Sequence, residues 1–178
     1  GDELNLDPLV GHMALYEPRT GGDGFRNEDR ERLFSLLLPF TNTLALSGHT
    51  HIQKQCFHTT EDGWHGSKPF YEFNAGTASG NWYSGLLDEK GIAVSTMSDG
   101  TPKGYSFISF SGNKFKINYK GAGKPADYQI EITVPKVIEE NEANSAGIYA
   151  NFFMGSENDS VFFRIDNDAW KPMTYAPD

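Results

Sequence analysis

"TLALSGHTH", Thr43 to His51, is the stretch on which the fold reading turns. Thr43–Ser47 is a short apolar run that stops at Gly48, which reads as a buried strand with a sharp turn at its end. Ahead of it lies "NEDRERLFSLLLPF", residues 27–40. Asn27 suits a helix N-cap, and Glu28 and Asp29 fall in the first turn, where the helix dipole favours acids. Leu33, Phe34, Leu37 and Leu38 fall on one face at helical spacing, and Pro39 fits the exit. Earlier still, "LVGHMALYEP" (Leu9–Pro18) reads as a strand running into a loop, followed by a Gly-rich charged stretch from Thr20 to Arg26. Strand, crossover helix and second strand make a βαβ unit.

From about residue 68 the texture changes to short aromatic and β-branched runs punctuated by Gly, Asn and Asp. In "YSFISFSGNKFKINY" (105–119) alternation on both sides of Ser111-Gly112-Asn113 predicts an antiparallel hairpin with one wet and one apolar face. "GAGKPAD" (121–127) reads as a boundary. After it, "YQIEITVP", "GIYANFFMG" and "SVFFRIDNDAWKPM" supply about four strands of an Ig-like sandwich, the last run turning at Asp166-Asn167-Asp168. Glu139, Glu140 and Glu142 read as a solvated acidic loop. The expected fold is therefore α+β and predominantly β. It has a βαβ segment, then antiparallel hairpins, over 1–124, and a partial β-sandwich over 125–178.

The 178 residues carry a net charge of −9, with 38% apolar and 13% aromatic residues. That is the composition of a folded chain. Without a basic cluster, nucleic acid and membrane surfaces are poor partners, and no apolar run is long enough to span a bilayer. A single cysteine, Cys56, excludes an internal disulfide and a cysteine-rich zinc site.

His49 and His51, two residues apart, converge on one side if the segment is extended. His12 stands at the end of the earlier strand, so parallel pairing would bring all three histidines to one sheet edge, where ligands of α/β sheets sit. Neutral imidazole is a common ligand for zinc, iron and manganese. On spacing alone an ordinary polar turn is the plainer reading; the place after Gly48 is what favours metal. His58 and His65, in a polar stretch, read as solvated loop residues. Trp82, Tyr83 and Trp170 read either as a stacking surface or, more plainly, as core or inter-domain packing, since aromatics of β-rich domains usually pack. Gly76 and Gly80 suggest tight turns.

"GHTH" after an apolar strand, with "VGHMALYEP" and a helix before it, resembles the end of a calcineurin-like metallophosphoesterase domain. Ala75–Gly123, with Asp99-Gly100-Thr101-Pro102 and Gly104-Tyr105, is similar to the region that follows this domain in a set of bacterial enzymes. Residues 147–178 are similar to their β-rich tail. The resemblance implies that two divalent ions (manganese, iron or zinc) clamp a phosphate ester and activate a water between them. It assigns His12 and His49 to one ion and His51 to the other, and makes Trp82 and Tyr83 candidate walls of the substrate cleft. It also implies Asp-x-His, Gly-Asp-x-x-Asp and Gly-Asn-His motifs that this chain lacks. Gly22-Asp23 leads to Arg26, and Gly80-Asn81 to Trp82. The chain is thus expected to be the C-terminal portion of a longer enzyme, to hold no confident catalytic residue, not to bind both ions, and to be inactive alone. Periplasmic or secreted location follows from the resemblance, and homodimerisation from exposed strand edges. The rival reading is a non-catalytic β-rich module that binds a glycan or polymer through its aromatics.

Overall fold

The computed structural model describes residues 6–16, 25–141, 146–156 and 158–176. Glu17, Pro18, the Gly-rich stretch from Thr20 to Gly24 and Glu142 of the acidic run lie outside the described residues.

The expected βαβ unit is present. Strand β1 (Asp7–Val10) is followed by helix α1 (Asn27–Leu37) and strand β2 (Thr43–Ser47), and β1 and β2 pair in parallel with Leu9 opposite Ala45. The helix starts one residue earlier than expected. Its N-cap is Arg26, whose side chain makes no cap hydrogen bond and instead holds Asp29 at 2.6 Å. Phe34 is fully buried and Leu33 and Leu37 pack beside it, whereas Leu38, already past the last helical turn, faces solvent.

Two further strands complete this sheet. β3 (Gln53–His58) and β4 (Phe70–Ala75) follow, and the strand order is β1-β2-β4-β3, with β4 parallel to β2 and antiparallel to β3. β4 thus belongs to the α/β sheet rather than to the β-rich extension. Leu9, Leu15, Phe34, Ala45, Trp64 and Phe70 form the core between sheet and helix, with Phe34 meeting Trp64 and Phe70 edge-on at 5.6 and 5.5 Å. Cys56 is buried on β3 directly opposite Glu72.

The other face of the sheet is covered in part, over β3 and β4, by later segments of the chain. The hairpin of β5 (Gly104–Ser111) and β6 (Lys114–Gly121) turns at Gly112, whose φ of 58° only glycine adopts without strain. Phe115 of β6 stacks on Tyr71 of β4 at 5.5 Å. Gln53 and Gln55 of β3 donate their side-chain amides to the backbone carbonyls of Phe153 and Met154. Met97, Tyr119 and Phe153 make a second small core there. Asp99 ties the layers together by accepting from the Gln53 N–H at 3.2 Å and the Thr101 hydroxyl at 2.8 Å, while its carbonyl accepts from Asn151.

The four strands expected beyond residue 127 are present and pair two by two: β7 (Ile130–Thr133) with β8 (Tyr149–Phe152), and β9 (Phe162–Phe163) with β10 (Lys171–Pro172), around a turn with Asp166 at φ 51°. Glu139 and Glu140 are exposed, as a solvated loop requires. Among the described residues no helix is long and apolar enough to cross a membrane.

Candidate metal centre

The parallel pairing of β1 and β2 sets the site. Beyond the last ladder pair, the Gly48 N–H donates to the His12 carbonyl at 3.1 Å, so both chains leave the sheet side by side. His12 Nε2 and His49 Nδ1 then stand 3.0 Å apart on the surface, the rings edge-to-face at 4.9 Å. His51 does not join them through an extended backbone. His49 and His51 both have left-handed backbones, φ 70° and 57°, because the chain must reverse between β2 and β3 within a few residues. The alternation argument therefore fails here, although the sheet-edge argument holds for His12 and His49.

His51 is oriented from the other side. Its Nδ1 lies 2.5 Å from the Asn81 carbonyl, which can only accept, so Nδ1 is the donor and the neutral ring would have its lone pair on Nε2. Trp82 stands edge-on to the His51 ring at 5.7 Å. The loop bearing both is held by the Asn81 N–H donating to Thr96 O at 2.7 Å and by Gly80, φ 74°, where a Cβ would sit 2.5 Å from Ser95 Oγ. Trp82 is 71% exposed, Tyr83 61% and Trp170 60%. Their exposure rules out packing into a core formed by the described residues and leaves packing against another domain open.

His65 is exposed as expected, but His58 is not a loop residue. It ends β3, is fully buried, and pairs through Nε2 with Glu72 at 2.8 Å. Glu72 also accepts from the Ser47 hydroxyl at 2.5 Å and the Leu15 N–H at 2.9 Å. Burial alone would raise its carboxyl pKa, but the three donors outweigh burial and hold it below the usual value. Sequence reasoning missed this network because its partners lie on four separate segments.

Two ring nitrogens 3.0 Å apart fit two ligands of one ion: metal–nitrogen bonds of about 2.0–2.1 Å at right angles would place them roughly 3 Å apart. The same separation serves an N–H···N hydrogen bond between the rings. Among the described residues no group of three or more His, Cys, Asp or Glu converges to hold an ion, so the pair supplies part of a shell and no more.

A family profile described as the C terminal of calcineurin-like phosphoesterase matches residues 72–178. The chain belongs to that family. Neither a curated protein nor a solved structure matches it. Calcineurin-like phosphoesterases act with divalent metals, and the three histidines all precede the matched span, which begins at Glu72 on β4. Trp82 and Tyr83 lie within it, as do β5 to β10.

Proposed function

We propose that this chain contributes the C-terminal side of a metal-dependent phosphoester hydrolase centre. His12 and His49 bind one divalent ion through the facing Nε2 and Nδ1. His51, its Nδ1 proton held by Asn81, offers Nε2 to a second. Such ions, when bound, supply Lewis acidity toward a phosphoryl group and a water. Trp82, beside His51, and Tyr83 form the wall against which the organic part of a phosphomonoester or phosphodiester rests. The carboxylates that offset the metal charge belong to motifs this chain lacks, and the chain by itself does not turn over substrate. The convergence of His12 and His49 at the ends of adjacent parallel strands carries this reading.

The test is zinc or manganese uptake by the purified chain, assayed with a chromogenic phosphate ester. Less than one equivalent per chain, lost in His49→Ala, with no turnover, is the expected result. Uptake unaffected by His49→Ala would refute the assignment. The exposure of Trp82 and Trp170 favours one alternative, a module that binds glycan through those rings. Under it, Trp82→Ala weakens retention on a glycan array and His49→Ala does not.

A further inference from the structure

The backbone of the histidine turn is strained. The Thr50 N–H closes onto the Gly48 carbonyl at 2.8 Å, a three-residue turn centred on His49 at φ 70°, and His51 follows at φ 57°. A γ-turn of this hand is rare, and a non-glycine residue in the left-handed region persists only where its surroundings fix it.

The fixing groups come from β4. Along its helix-facing side the residues run Phe70, Glu72, Asn74, all fully buried, and pass from the aromatic core toward the histidine turn. Asn74 Nδ2 donates to Thr50 Oγ1 at 2.7 Å and to the Ile52 carbonyl at 2.6 Å, gripping the turn on both sides of His51. Because the carbonyl can only accept, the amide orientation is determined. Thr50 Oγ1 also accepts from the Tyr16 hydroxyl at 2.9 Å. The Ser47 hydroxyl, which donates to Glu72, lies 3.3 Å from Asn74 Oδ1, and Glu72 in turn accepts from the Leu15 N–H, just beyond His12.

We propose that Asn74 is a positioning residue whose carboxamide clamps the His49–Thr50–His51 turn onto β4 and so holds His49 Nδ1 against His12 Nε2. Both histidine turns hang from one strand, His49 through Asn74 and Thr50, His12 through Glu72 and Leu15. The consequence for metal affinity rests on the proposed function above; the clamp itself does not.

Three variants of the full chain separate these points: Asn74→Ala, Thr50→Val, which removes the accepting hydroxyl at nearly constant shape, and Thr50→Ser, which keeps it. The first readout is the cross-relaxation between the His12 and His49 ring protons by NMR in metal-free protein. It should be present in the parent and in Thr50→Ser, and absent in Asn74→Ala and Thr50→Val. The thermal midpoint of Thr50→Val should lie below that of Thr50→Ser, because Asn74 Nδ2 and the Tyr16 hydroxyl lose their acceptor. Should Asn74→Ala fail to fold, Thr50→Val decides. Persistence of the cross-peak in Thr50→Val, or its absence from the parent, overturns the clamp. Loss in Thr50→Val but not in a folded Asn74→Ala would assign the hold to Tyr16 and overturn the role of Asn74. The second readout is zinc titration, where the clamp-deficient variants should bind about tenfold to a hundredfold more weakly. A parent with the cross-peak but no zinc binding would sink the metal reading and leave the clamp standing.

Discussion

Glu72 sits where three segments meet, and its charge is held by donors from all three. Removing it as Glu72→Ala would strand the Leu15 N–H, the Ser47 hydroxyl and His58 in the interior, a loss of about 3–5 kcal/mol by the measure of broken buried pairs. Its titration gives a sharper test. An acid whose folded pKa is depressed binds its proton less readily when folded than unfolded, where the value is about 4.3. Its stabilising contribution is therefore complete above about pH 4.3 and is lost as pH falls through the lower folded value. Urea midpoints followed down to about pH 2 should fall more steeply in the parent than in Glu72→Gln, and equal slopes would refute the assignment. His58, its partner, could not have been read this way in the sequence. The neighbouring Thr, Glu and Gly signal a loop, and the carboxylate that justifies burying it lies on the next strand.

At the scale of elements, legibility followed local periodicity. β2, the apolar face of α1 and the hairpin turn at Gly112 were visible because each declares itself within a dozen residues. β3 did not, since "QKQCFH" carries polar groups on both faces. Gln53 and Gln55 look outward in sequence terms, yet their side-chain amides donate to the Phe153 and Met154 carbonyls, far along the chain. The packing of the hairpin against the sheet has its own signature. Burial, then the proximity of Cys56, pushes Tyr71 up to about 12, and burial, then Asp99, does the same to Tyr119. Both hydroxyls therefore stabilise the fold while neutral, fully below an unfolded value of about 10 and decreasingly as pH rises toward 12. Absorbance titration of phenolate should show a late phase near pH 12 that shrinks in Tyr71→Phe and again in Tyr71→Phe/Tyr119→Phe. A profile complete by about pH 10.5 would contradict the observed burial.

Across the whole molecule, the family, the α+β character and the strand-rich tail could be inferred from sequence, whereas the way the tail packs on the sheet could not, because its contacts span about a hundred residues. The four-stranded sheet ends in β1 on one side and β3 on the other, and Val10 on β1 is 73% exposed. Among the described residues no strand pairs with either outer edge, and open edges invite pairing, so the chain should self-associate in sedimentation experiments as concentration rises. Val10→Lys, which puts a charge on that edge, should shift the distribution toward monomer. A monomer at every concentration would show that the edges are blunted by other means.

The buried thiol of Cys56 has a practical consequence. It is the sole cysteine, sits on the edge strand β3 and lies across the ladder from Glu72. The thiol is buried on the face of β3 that also carries His58, so labelling kinetics in native buffer time the opening that exposes this face, without any engineered probe. The same event unroofs the carboxylate to which the His12 turn is tied. The chain thus carries its own clock for how often the floor beneath its histidines comes apart.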